Sequence, residues 1–555
     1  MTKTITIYCK SNNTYKEYPI GTTLLEMIDD LNLPCTNQVV SAKVNYKSED
    51  LNFAVYKPKD IEFVEITSSS GMRVYVRSLC IVLSKALYDL FPQAQLFVEH
   101  PLSKGYYCNI KNLGRKLTED DVKQIKSRMA EIIQKDLPII RHEKQGDEAI
   151  QLFRERNEMD KVILLETLSR PYAEYYELDG YFDYYNGALL PSTGHLRLFD
   201  ILPCYDGILM RIPSRTIPTE LEEVIPQPKM YEIFKEFIGW NSIMGLSNVG
   251  DFNLACKEKK SYDLIKIVEA LHEKKIAGIA DRLINNLDKT RFVMISGPSS
   301  SGKTTFSKRL SIQLRAAGVH PLSISLDNYF VNREHTPHDE NGDYDFESIE
   351  ALDIEFFNKQ LTQLLNGEEI ELPSFNFETG KRVFKGEKIK LKKDNIILME
   401  GIHALNPTLT PTIPDETKFK IYVSALTTIS LDNHNWIPTT DNRLLRRILR
   451  DYRYRGYSAQ ETIGRWQSVR KGEDKWIFPY QENADVMFNS ALIFEFAALK
   501  KYVEPILAEV PRNSNEYTEA HRLLKFLKFF LPVYDREIPP TSLLREFLGG
   551  SSFKY

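Results

Sequence analysis

The first apolar positions, Ile5, Ile7 and Cys9, alternate with polar ones, the spacing of a half-buried strand. Gly21-Thr22-Thr23 then opens the helical stretch LLEMIDDLN, and VVSAKVNY and DIEFVEIT follow as strands. One helix among short strands predicts a β-grasp module over residues 1–67. Over residues 68–226 the pattern mixes helical stretches (SLCIVLSKALYDLF, DDVKQIKSRMAEIIQ) with strand-like runs near YYCNI and LRLFDILPC. That mixture predicts a separate α+β domain. Residues 227–287 hold the helical period in MYEIFKEFIGW and SYDLIKIVEALHEKKIAGIADRLINNL, which predicts a helical linker. Over residues 288–555 the apolar strands RFVMIS, LSISL, NIILME and KFKIYVS alternate with helical stretches. This alternation predicts a parallel α/β sheet, so the chain reads as multidomain.

Composition narrows the classes. Apolar residues make up 42% and charged residues 27%, with a formal net charge of −4. That balance excludes a disordered or fibrous chain and argues against non-specific nucleic-acid binding as the main task. Six cysteines lie without CxxC spacing, and there is neither an apolar leader nor an apolar run of membrane-spanning length. The expectation is a cytoplasmic protein with free thiols and no membrane contact.

The candidate chemistry lies in the last segment. Gly297-Pro298-Ser299-Ser300-Ser301-Gly302-Lys303-Thr304 matches G-x-x-x-x-G-K-[ST] between a strand and a helix. Glycines let the backbone N–H groups converge on a phosphate, Lys303 bridges β- and γ-phosphate oxygens, and Thr304 offers a hydroxyl to magnesium. With Thr305 these residues form the expected ATP site. Asp327 ends the apolar strand Leu322 to Leu326 and is the candidate general base; a kinase needs a group that orients the acceptor hydroxyl and takes its proton. Glu400 ends the strand Ile396 to Met399, where a magnesium carboxylate is expected. Arg443, Arg446, Arg447 and Arg450 recur along one helical face, within a segment of ten basic and five acidic residues from Thr439 to Lys475. They predict a lid closing on ATP phosphates, with Arg443 and Arg446 in catalytic positions and Arg450 on the nucleotide. A solvated basic face, or an RNA-contacting patch interleaved with tyrosines, are the duller alternatives.

The motifs GPSSSGKTT, LDNYF, YDFESIEALD, PSFNFETGKR, ILMEGIHAL and DNRLLRRILRDYRYRGYS occur in one order. Over about residues 288–490 they resemble the uridine kinase and phosphoribulokinase family. The resemblance implies ATP- and Mg2+-dependent phosphorylation of a nucleoside 5'-hydroxyl. It implies Asp327 as base, Asp345 on the ribose hydroxyls and Arg443 on the nucleoside, with Tyr329 and Phe375 beside the acceptor. The base pocket departs from pyrimidine-specific members. Their Tyr-Asp-Phe becomes Phe375-Asn376-Phe377, and their base-reading His falls on Gly380. Loss of a side-chain donor relaxes base selection.

The N-terminal part resembles the leading domains of threonyl-tRNA synthetase, a TGS module over 1–67 and an editing-like domain over 68–226. Its carriers are SLCIVLSKALYDLFP, HPLSKGYYCNI and DYYNGALLPSTGHL. The editing pairs of that family fall here on Arg77 with Ile81 and on Tyr185 with Leu189, so the resemblance implies that the editing motif is lost. His100 and His195 lack matched partners and read as structural.

The reading is therefore a nucleoside kinase and homo-oligomer whose N-terminal half is an appendage. Two alternatives stay open. One is a regulatory P-loop ATPase whose N-terminal half senses tRNA. The other is a kinase of a sugar-like alcohol, for which Lys381 and Arg382 would supply charge near the acceptor.

Overall fold

The computed structural model describes residues 3–339, 342, 344–376, 379–392 and 395–554. The first unit is a mixed sheet in the order Thr14–Pro19, Thr4–Cys9, Asp60–Glu65, Val39–Val44, Lys47–Glu49, with Thr4–Cys9 and Asp60–Glu65 parallel. Its helix, Leu24–Ile28, is held at the start by a reciprocal cap between Thr23 and Glu26. Such a cap satisfies end donors that a helix this short cannot satisfy itself. Leu24 and Met27 turn the helix onto the buried face formed by Ile7, Cys9 and Ile61.

The second unit is built on the helix Ser69–Leu90, whose buried stripe runs from Met72 to Leu87. Against it lie the four-stranded sheet ordered Asp200–Cys204, Gly207–Arg211, Gly105–Lys111, Gln95–Leu102, and the helix Glu119–Gln134. A three-stranded sheet, Tyr181–Asp183, Tyr172–Leu178 and Ile140–Gln145, carries the helices Gly146–Glu155 and Met159–Leu168. All six cysteines are unbridged, and among the described residues no helix is long and apolar enough to cross a membrane.

Three helices follow, Pro228–Ile243, Val249–Lys257 and Ser261–Ile284. They are not a free-standing bridge. Phe252, Leu264 and Val268 pack with Val162 and Leu165 of the second unit, while Ile276, Ile279 and Leu283 enter the core under the C-terminal sheet.

That sheet is parallel throughout, in the order His320–Ser325, Asn395–Glu400, Phe292–Ser296, Lys418–Ser424, Val486–Asn489. Its central strand Phe292–Ser296 is buried at every position, as expected of a parallel strand covered on both faces. A hairpin of Glu369–Asn376 and Lys381–Lys390, with the helix Ile354–Leu365, covers one side. On the other side lie the helices Ser261–Ile284 and Lys303–Ala316, while the helices Thr439–Tyr454, Ala459–Trp476, Glu495–Ala508 and Tyr517–Leu527 pack with the second unit in a separate core. The outer strand stops one residue earlier than its apolar run. Leu326 and Asp327 belong to a short 3-10 turn, Leu326–Tyr329.

Candidate active site

The phosphate loop links the central strand to the helix Lys303–Ala316. A side chain at Gly297 would place its first carbon 1.9 Å from the Val423 carbonyl oxygen, so the loop can leave the sheet this close to the next strand only with glycine. Gly302 lies in the left-handed region and gives the helix no side-chain cap. The helix N-terminus thus keeps the free N–H groups that suit an anion.

Of two carboxylates at the sheet edge, Glu400 meets the loop and Asp327 stands close enough to act on Lys303 through its charge. Glu400 Oε1 accepts from the Thr304 hydroxyl at 3.4 Å and from the Ser325 hydroxyl at 3.1 Å. Gly401 makes room for the turn bearing Asp327, since a side chain there would strike Leu326 at 2.6 Å. Burial raises Glu400 to about 7, the Asp327 charge pushes the same way, and Lys303 opposes both. Lys303 is itself depressed by burial, against the pull of Glu400, Asp327, Glu546 and Glu347. Its ammonium donates to the carbonyl oxygens of Gly297 and Pro298 at 2.8 and 3.2 Å. One cleft therefore holds a cation, several acids and a ring of amides. Thr304 and Glu400 are hard oxygen donors beside the loop, the kind magnesium accepts alongside substrate phosphates.

Glu347, which the sequence reading passed over, stands in the same field. Burial raises it to about 7, with Arg447 and Lys303 opposing and Glu473 and Asp327 reinforcing. Asp345 holds the turn that delivers it, accepting from the Glu347 N–H at 3.1 Å. The only early signal was a second acid two positions after Asp345 in YDFESIEALD.

The arginine face divides. Arg443 pairs with buried Glu473, and Arg446 with buried Glu495. Both guanidiniums lie inside the protein rather than on a lid surface. Arg443 also donates to the Ser299 carbonyl at 3.2 Å and Arg446 to that of Ser300 at 3.4 Å, so they brace the loop from behind. Arg447 reaches the front, donating to the Ser299 hydroxyl at 2.9 Å. Arg450 is depressed by burial and donates to Asp451 at 3.1 Å. Glu473 accepts from the Ser299 N–H at 3.1 Å, and Glu546 accepts from the Thr305 hydroxyl at 2.5 Å. Nothing in the local sequence marks either acid. Ser301 accepts at its carbonyl from the Ser490 hydroxyl at 2.5 Å.

The acceptor-side residues mostly position others. Tyr329 is buried and its hydroxyl donates to Gln360 at 2.7 Å. Arg382 pairs with Asp353 at 2.9 Å and donates to the carbonyls of Tyr329 and Phe330, which anchors the Asp327 turn. Phe375 packs on Phe330 and donates its N–H to the Asn328 side chain at 3.3 Å. Gly380 is backed by the Arg333 side chain, and Phe377 lies outside the described residues.

Residues 292–492 match the model of the Phosphoribulokinase / Uridine kinase family. The N-terminal part is similar to threonine--tRNA ligases. The one from Syntrophomonas wolfei is 31% identical over 188 residues, 34% of this chain and 29% of that protein. Threonine--tRNA ligase 2 of Bacillus subtilis is 29% identical over 187 residues, again 34% and 29%. The chain thus spans under a third of the length of these relatives. Among solved structures, a putative fructose transport system kinase from Silicibacter sp. TM1040 is 17% identical, with 38% of this chain and 98% of that one covered at a TM-score of 0.28. A possible uridine kinase from Bacillus stearothermophilus is 20% identical, with 38% and 100% covered at a TM-score of 0.24.

Proposed function

We propose that this P-loop kinase unit transfers the γ-phosphoryl group of ATP to the 5'-hydroxyl of a nucleoside. The observation that carries the reading is the single cleft shared by Lys303, Asp327 and Glu400. Asp327 orients the acceptor hydroxyl and takes its proton as the phosphoryl group leaves ATP. Lys303 and the loop amides stabilise charge on the phosphates. Magnesium, when bound, would sit at Thr304 and Glu400 and neutralise phosphate charge. The turn of Asp345 and Glu347 faces the acceptor, and a carboxylate there can accept hydrogen bonds from two neighbouring hydroxyls. Gly380, which brings no side-chain donor, supports broad base acceptance.

We assign residues 1–67 to a TGS-like β-grasp domain, 68–226 to an editing-like domain without editing chemistry, 227–287 to the connecting helices and 288–555 to the kinase. Arg77 donates to the Ala188 carbonyl at 3.0 Å, and Ile81, Tyr185 and Leu189 are buried. These are packing positions, which supports loss of the hydrolytic site. The reading places the enzyme in the cytoplasm as a homo-oligomer, with the N-terminal half as a scaffold.

A coupled ATPase screen of the full chain across ribonucleosides, deoxynucleosides and sugar phosphates tests the reading. Nucleoside-dependent ADP release is expected. Release indifferent to every hydroxyl acceptor would overturn it, and turnover confined to sugar phosphates would transfer the activity to that class.

A further inference from the structure

Glu546 reaches the cleft from neither the sheet edge nor the lid. It sits on the short helix Arg545–Leu548, and its carboxylate binds the Thr305 hydroxyl, directly after the Lys303-Thr304 pair. It lies close enough to act electrostatically on Lys303, Glu400 and Arg450. Around it the segment is packed. Ser542, Leu543, Leu544, Phe547 and Leu548 are all buried. Leu543 borders Gly302, where a side chain added to that glycine would meet it at 3.4 Å, and joins the core under the sheet. The Phe547 ring lies under the Arg446 guanidinium, with 5.1 Å from its carbon to the ring centre. Arg453 donates to the Leu548 carbonyl, and Arg545 to those of Asp535 and Ile538.

An anion on the phosphate loop is what the loop is shaped to attract. Here the chain itself sets a carboxylate on the hydroxyl of Thr305, at the start of the helix that follows the loop. An ATP phosphate reaching Thr305 must displace a carboxylate of like charge, and like charges facing each other at close range oppose binding. The apolar residues flanking Glu546 hold it in place without closing the acceptor side, where Asp327 and Glu347 stand.

We propose that the segment Ser542–Leu548 is an autoinhibitory strap, with Glu546 standing in for a nucleotide phosphate, and that ATP binding requires its release. This rests on the kinase reading above, because a strap matters only if the loop binds a nucleotide. ATP and the strap then compete at the Thr305 hydroxyl, so the apparent affinity for ATP is reduced by the fraction of molecules in which the strap is docked.

The test uses the full chain, with ATP binding measured calorimetrically for the wild type, Glu546→Gln and Glu546→Ala, and amide hydrogen exchange followed over residues 540–552. Gln keeps the packing and removes the charge, so the expected result is ATP affinity at least about tenfold tighter in Glu546→Gln. Wild-type amides of the strap should also exchange faster once ATP is added. Equal affinity in all three proteins, with strap exchange unchanged by ATP, would overturn the strap and leave the kinase reading intact. Absence of ATP binding by all three would remove both. If Glu546→Ala loses packing, Glu546→Gln and the wild-type exchange data decide the matter.

Discussion

His434 and Asp183 lie 251 positions apart in the chain yet meet at 2.7 Å between Nδ1 and Oδ2, fully enclosed between the second unit and the P-loop unit. Lys161 stands 3.3 Å from the other Asp183 oxygen, and Asp432 and Asp160 complete the cluster. His434 is in the stretch that runs from the sheet into the arginine helix. The N-terminal half is thus bound to the catalytic half by a buried charge network.

Burial pushes the His434 imidazole down, and Asp183 more than offsets this, so the net shift is upward. A raised histidine contributes stability that is complete below its unfolded value of about 6.5 and is lost as pH rises through the folded value. The unfolding free energy of the wild type minus that of His434→Gln is therefore expected to be larger at pH 6 than at pH 9. Denaturant unfolding at both pH values checks this, and a difference independent of pH would refute it.

Asp327→Asn keeps the shape of the turn and removes the proposed base. Turnover is expected to fall by a factor of about 10² to 10⁴, with ATP affinity held within roughly threefold because Lys303 and the loop are untouched. Steady-state kinetics paired with binding of ATP separates the two effects. Normal turnover would remove Asp327 from the role of base.

Glu347 gives a pH signature of the same sign in a lower pH window. Burial raises it to about 7, so the folded state holds its proton where the unfolded chain has lost it. The stability this contributes is present below the unfolded value, about 4.3, and is lost as pH rises through about 7. Glu347→Gln should match the wild type in melting temperature near pH 5 and exceed it near pH 8. A constant offset would show that the carboxyl is not buried as described.

Glu495→Ala leaves the Arg446 guanidinium charged, buried and without its carboxylate partner. A loss of about 3 to 5 kcal/mol in stability is expected, along with weaker ATP binding, because Arg446 braces the loop at Ser300. Chemical denaturation measures the first. A loss below about 1 kcal/mol would mean that Arg446 finds water or another acid.

Much of the cleft was legible because its parts are local. A strand, a glycine loop and a helix in sequence fold into a phosphate cradle whatever surrounds them, and a strand ending in Glu400 and a turn carrying Asp327 just past its neighbour bring those acids to one edge of a parallel sheet. The arginine spacing was legible in the same sense, since a helix lines up residues three and four apart. Which arginine does what was not. Arg443 and Arg446 are buried beside Glu473 and Glu495, and those acids arrive on other helices.

The amino-acid sequence alone determined the order of elements, the parallel architecture of the last unit and the presence of Lys303, Asp327 and Glu400 at its ligand edge, since each follows from short-range periodicity and turn chemistry. Tertiary structure decided that Glu347, Glu473 and Glu546 enter the same cleft, that the connecting helices belong to the cores they join, and that His434 meets Asp183. Those contacts depend on how helices and loops pack across long chain separations, and packing of that kind leaves no pattern in any one stretch of residues.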